Sequence, residues 1–196
     1  MKELITICLL LATTFAIKAQ DGKPTKEQTL EFIKSHFEGK SFGAECIKES
    51  SEFIQNFGEF YMDYELVLED NILTVKWQQY NKWWINGNPS SYESKNSKIA
   101  KIDLSKTETV SISYYTLEKR CLDKNQLMIL VAFKSVPSFK NSYTESGVVS
   151  HPEWVMIPIN SYICNGCDNE LINKKIIQAF NHLRKLCGAP EPISFD

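Results

Sequence analysis

The sequence predicts an α+β protein: a curved antiparallel sheet or small barrel, preceded by a short amphipathic helix and closed by a longer one. Three observations carry this. Apolar residues recur at helical spacing near both ends, at Leu30, Ile33 and Phe37 and again at Ile176, Phe180 and Leu183. Between these ends the apolar period drops to two in several consecutive stretches. The stretches are separated by short turn or loop signals, so neighbouring strands are expected to pair antiparallel.

The first nineteen residues read as an export signal and not as part of the fold. Lys2 gives a minimal positive start, and Leu4 to Ile17 is an apolar run broken only by threonines. Ile17-Lys18-Ala19 then supplies a small residue at −1 and an aliphatic one at −3. A spanning helix needs about 20 apolar residues, and Lys18 ends this run after fourteen. Cleavage after Ala19 is therefore expected, leaving residues 20–196 as one globular domain, periplasmic or secreted, with no transmembrane segment. The chain has 22 basic and 24 acidic residues, and cleavage removes Lys2, Lys18 and Glu3, for a net charge near −3. Near-neutral charge of mixed sign gives no electrostatic reason to expect a nucleic-acid partner or an anionic membrane surface.

Thr25-Lys26-Glu27-Gln28 is a capping box, and the apolar stripe that follows predicts a helix over 25–38, stopped by Gly39. Residues 40–58 carry no clear period; Phe53, Ile54 and Phe57 are compatible with a helical turn. From about 59, Phe60, Met62, Tyr64, Leu66 and Leu68 alternate with Tyr61, Asp63, Glu65, Val67 and Glu69, which predicts a strand with one apolar face. Asp70-Asn71 turns the chain into a partner strand through Leu73, Val75 and Trp77. Asn86-Gly87-Asn88-Pro89 breaks it, and a polar loop is expected to Ser97. Further strands are expected over 98–104, over 110–115 and at Leu127–Phe133, the last apolar on both faces and so central. A polar loop then leads from Ser135 to Pro152, and a last strand covers Trp154 to Ile159.

The final helix is the clearest element. Asp168 or Asn169 can cap it, and Leu171, Ile172, Ile176, Ala179, Phe180, Leu183 and Cys187 form its expected buried stripe. Arg184 and Lys185 are placed on or near its polar side, at the negative end of the helix dipole. Gly188 and Pro190 end it. The order helix, antiparallel strands, closing helix resembles that of a pleckstrin-homology-like barrel with an added N-terminal helix. The segment Lys174-Lys175-Ile176-Ile177-Gln178-Ala179-Phe180-Asn181-His182-Leu183, with Gln20 after the cleavage position, is similar to small exported proteins of Bacteroidetes-type bacteria. That resemblance implies export and brings no site residues with it.

Five cysteines remain after maturation: Cys46, Cys121, Cys164, Cys167 and Cys187. In an oxidising compartment all five are disulfide candidates, and an odd number leaves one thiol over. Cys164-Asn165-Gly166-Cys167 follows a strand and opens a helix, where the positive dipole end would favour a thiolate. The alternative function is thus a thiol-disulfide oxidoreductase using Cys164 and Cys167. A structural zinc site needs four ligands, usually as two close pairs, and one close pair is present, so no metal is expected. His36, His151 and His182 lie far apart, no serine sits in a nucleophile elbow, and no cofactor motif is found.

The constellation favoured for function is aromatic. Trp83, Trp84, Tyr80 and Tyr92 crowd around the turn at Asn86. In an extended stretch Trp83 and Trp84 must point to opposite faces, so one indole is available to stack on a glycan or seat a protein partner. The expectation is a non-enzymatic exported binding or scaffold domain without a cofactor.

Overall fold

The computed structural model describes residues 23–49, 54–85, 88–116, 127–161 and 169–191. The expected export signal, Asn86, Cys121 and the Cys164–Cys167 pair lie outside these residues.

Helix α1 spans Lys26–Phe37. Its start is the predicted capping box: the Gln28 amide donates to Thr25 Oγ1 at 3.2 Å, and the Thr25 amide donates back to Gln28 Oε1 at 2.9 Å. The pair satisfies two otherwise orphaned donors and contributes about 1 kcal/mol. Helix α2 spans Asn169–Leu186, and Gly188 follows it at φ 81°, where a side chain would be strained. No helix among the described residues is long and apolar enough to cross a membrane.

Among the described residues nine strands lie between the helices: β1 Phe42–Glu49, β2 Ile54–Glu69, β3 Ile72–Ile85, β4 Asn88–Asp103, β5 Thr107–Thr116, β6 Leu127–Ser135, β7 Ser142–Glu145, β8 Val148–Ser150 and β9 Trp154–Ser161. All described pairs are antiparallel. They form two sheets, with orders β1-β2-β3-β4-β7-β8 and β5-β6-β9. The expected single sheet or closed barrel is therefore not what the chain builds. The break falls after β4, at a 3-10 turn over Leu104–Lys106, where Asp103 Oδ1 accepts from the Ser105 amide at 2.9 Å. That turn redirects the chain, so β5 starts a second sheet and does not extend the first. β6 is central in that sheet, as its unbroken apolar run predicts.

Three stretches read as irregular are strands. Within 40–58, residues 42–49 form β1, and Ile54 and Phe57, compatible with a helical turn in the sequence, lie in its partner β2; Phe53 lies outside the described residues. The Ser/Asn-rich stretch up to Ser97 is the first half of β4, where Asn96 lies opposite Gln79 and Ser94 opposite Asn81. The polar loop after Ser135 contains the β7–β8 hairpin, whose Ser146 and Gly147 both have positive φ, at 48° and 86°, as a tight two-residue hairpin turn requires. Cross-strand partners decide these segments, and composition does not reveal them.

One buried cluster draws on both sheets and both helices: Leu66, Leu73, Val75 and Ile102 from the larger sheet, Val131, Phe133, Val155 and Ile157 from the smaller, and Ile33, Phe37, Ile176, Phe180 and Leu183 from the helices. Phe180 is the joint, with its ring 5.0 Å from Phe133 and 6.3 Å from Phe37. Helix α1 is tied to the β2–β3 turn by Lys26 Nζ, which donates to Asp70 O and, at 3.4 Å, to Asn71 Oδ1.

The stripe of α2 differs from the expected one at several places. Leu171 and Ile172 are exposed, whereas Asn173 and Arg184 are buried. Positions 173, 176, 180, 183, 184 and 187 keep helical spacing, so the buried face is rotated toward two polar residues. Cys187 stands on this face as a free, buried thiol and not as half of a bridge. Burial pushes its pKa up, opposed by Lys26.

Candidate functional site on the long ribbon

Strands β2, β3 and β4 run 16, 14 and 16 residues, well beyond the usual five or six. One end of each contributes to the core and the other continues past it. On β3, Leu73, Val75 and Trp77 are buried. By alternation Gln79, Asn81 and Trp83 continue that inner face, and Tyr80, Lys82 and Trp84 take the outer one.

On β2 the parity changes. The register with β3 shifts between Met62 and Glu65, and Asp63 there has φ 57°. This is a β-bulge, which re-aims every side chain beyond it. On the core side of the bulge Tyr64 and Leu66 are buried; beyond it Tyr61 and Glu59 are. The apolar series Phe60, Met62, Tyr64, Leu66 and Leu68, a single face in the sequence, is thereby split. Phe60 and Met62 are only partly buried and lie on the outer face.

The inner face beyond the core is a polar row. Tyr61 OH and Gln79 Nε2 both donate to Glu59 Oε1. Gln79 Nε2 also reaches Asn81 Oδ1 at 3.3 Å, and Asn81 Nδ2 donates to Ser94 Oγ at 3.0 Å. Glu59 is 7 % and Tyr61 8 % exposed, whereas Gln79, Asn81, Ser94 and Trp83 are half-buried. The row thus has a buried floor and a half-open rim. Among the described residues no lysine or arginine forms an ion pair with Glu59.

The outer face is aromatic. The Phe60 ring lies across two glycines. A methyl on Gly43 would come within 2.4 Å of it, and one on Gly58 within 2.5 Å of it and 3.0 Å of Trp84. Tyr80 OH donates to Asp63 Oδ2 at 3.4 Å, and Lys95 Nζ stands 5.1 Å from the Tyr80 ring centroid. The hydrogen bond from Lys95 to Tyr80 is the leading cause that raises the lysine pKa.

Of the aromatic residues singled out in the sequence, Trp83 and Trp84 do take opposite faces. Trp83 sits at the end of the inner row and packs against the core cluster. Tyr80 and Trp84 share the outer face. Tyr92 lies in β4 with its side chain outside the described residues, as is that of Cys46 in β1; Asn86 lies outside altogether. Sequence reasoning missed Glu59, Tyr61, Gln79, Asn81 and Ser94. One signal was available for the β3 members: Gln79 and Asn81 occupy the positions between Trp77 and Trp83 that an apolar face would fill.

No protein-family model, curated protein or solved structure matches this chain. The site therefore rests on its own geometry. Elsewhere, a groove of about 740 Å³ lies between the helices, lined by Pro24, Phe32, Lys175, Gln178, Ala179 and His182. His36 is half-buried, its Nε2 3.1 Å from Ile159 O, and burial holds its pKa below the ordinary value. Among the described residues no three His, Cys, Asp or Glu side chains gather as a metal site.

Proposed function

We propose that this protein is an exported, non-enzymatic binding or scaffold domain, with the part of β2, β3 and β4 beyond the bulge as its recognition surface. One observation supports this most: three paired strands continue past the core bearing Tyr80, Asn81 and Trp84 outside the core cluster, with Trp83 at its edge. Half-buried Trp and Tyr side chains offer large, rigid contact area at low entropic cost, and such residues dominate binding energy at interfaces.

Immobilised glycan and peptide panels test the reading, with tryptophan fluorescence as a second readout. The expected result is binding to at least one panel member, weakened about tenfold or more by Trp83→Ala or Trp84→Ala in a folded variant. Folded wild-type protein that binds nothing in either panel would overturn it. An insulin-reduction assay separates the thiol-disulfide alternative. Turnover by the wild type that disappears in Cys164→Ser would replace binding with redox chemistry.

A further inference from the structure

We infer that the inner row of the ribbon, with Glu59 and Tyr61 as floor and Asn81 and Trp83 as rim, is a binding site for a neutral, hydroxyl-rich ligand of the saccharide class. This rests on the reading of the ribbon as a recognition surface and adds its face and its ligand chemistry.

The first argument is that the row is placed where packing would favour apolar residues. The same face of β3 carries Leu73, Val75 and Trp77 in the core. Continuing that face with valine or leucine would cost nothing in solvation. A buried carboxylate, by contrast, carries a desolvation penalty, and apolar replacements of buried charges are often neutral or stabilising. Glu59 and Tyr61 also reach this face only through the bulge. Its Asp63, at φ 57°, is held in a left-handed conformation that a non-glycine residue adopts only at a cost. Bulges that re-aim side chains are over-represented beside active sites.

The second argument concerns unused hydrogen-bonding capacity. A carboxylate accepts at about four lone-pair positions. Tyr61 and Gln79 both bind Oε1 of Glu59, so neither uses the lone pairs of Oε2. On the same face, two residues from Gln79, Trp77 is 2 % exposed and its indole Nε1 is buried with no partner among the described residues. The row itself thus offers acceptor capacity at Glu59, the Gln79 and Asn81 amides and the half-buried Trp83 indole. A sugar hydroxyl both donates and accepts, and the C–H face of a pyranose fits against an indole. Glu59 has no ion-pair partner among the described residues, and Lys98, opposite Trp77 on the same face, is already paired with Glu145, so the row disfavours phosphorylated or sulfated ligands and leaves neutral or amino sugars.

The test is an array of neutral, amino, sulfated and phosphorylated oligosaccharides alongside the peptide panel, followed by titration calorimetry on any hit. Neutral or amino sugars should bind. Glu59→Gln and Asn81→Ala should each weaken binding about tenfold or more, with Tyr114→Ala, exposed on β5 of the smaller sheet, within about twofold of wild type. Trp83→Ala touches the core, so Glu59→Gln and Asn81→Ala carry the test if it fails to fold. Three results would overturn the inference: no saccharide bound; binding confined to anionic sugars; or binding lost in Trp84→Ala and kept in Glu59→Gln and Asn81→Ala. Peptide binding without any saccharide binding sinks this inference and leaves the recognition surface standing. Absence of both sinks the two together.

Discussion

Replacing Arg184 with alanine should lower stability by about 3 kcal/mol. Its side chain is fully buried. Nη1 donates to Thr107 O and to Pro190 O, each at 2.8 Å, and Nε lies 3.3 Å from Asn181 Oδ1. Those bonds tie the start of β5 and the chain after α2 to the helix. Hydrogen bonds from a charged donor are worth about 1.5–3 kcal/mol each, so the two carbonyl bonds total roughly 3–6 kcal/mol gross. Against this, Nη2 is buried without a partner among the described residues, and burial is the leading cause holding the guanidinium pKa below its ordinary range. Relief of that desolvation offsets part of this and the cavity left by the stem adds to the loss, which sets the expectation at the lower end, about 3 kcal/mol. For a chain of this size, 1 kcal/mol shifts Tm by about 2–4 °C, so about 6–12 °C is expected. Arg184→Met, which keeps most of the stem, should lose less than alanine. Urea unfolding followed by circular dichroism, in reductant, measures both. A loss below about 0.5 kcal/mol for Arg184→Ala, the range of an ordinary surface position, would refute the burial and restore the solvent-facing placement read from the sequence.

Three further outcomes follow from the same structure. A histidine whose folded pKa is depressed leaves the unfolded chain to bind the proton first. The His36 contribution should therefore be present above about pH 6.5 and lost as pH falls from there to the folded value. His36→Gln should flatten the urea midpoint across that window, and an unchanged slope would show that His36 is not buried in this way. Cys187, free and buried with a raised pKa, should resist iodoacetamide at neutral pH in the native protein and react once unfolded. Peptide mapping that finds it rapidly alkylated, or in a bridge, contradicts the packing of α2. Gly58→Ala places a methyl 2.5 Å from Phe60 and 3.0 Å from Trp84. It should cost about 1–3 kcal/mol and shift tryptophan emission, whereas a silent substitution would mean that the aromatic pair does not cover that glycine.

How far the sequence could be read depended on where each signal originates. Helix α1, expected over 25–38 and found over Lys26–Phe37, was legible because its determinants are local: a capping box at Thr25 and Gln28 and a stripe through Ile33 and Phe37. The central position of β6 was legible because burial on both faces leaves an unbroken apolar run. The first half of β4 was not, because Ser94 and Asn96 are in a strand only by virtue of Asn81 and Gln79 opposite them. The site shows the same division. Trp83 and Trp84 drew attention as neighbours of a turn, and alternation alone sent them to opposite faces. Glu59 and Tyr61 could not be found, since the even-numbered series from Phe60 to Leu68 pointed to the wrong face.

By itself, then, the sequence determined the two amphipathic helices, the capping box of the first and the glycine stops of both, most of the strands and the antiparallel sense of their pairing. These follow from spacing within one segment and from the conformations that Gly, Asn, Asp and Pro permit. Only the tertiary structure decided that the strands divide into two sheets at the Leu104–Lys106 turn, that Arg184 is buried, and which side of β2 faces inward beyond Asp63. Each of those depends on a partner distant in sequence. The physical reason is sharpest at the bulge, where a single extra residue reverses the face of every side chain that follows.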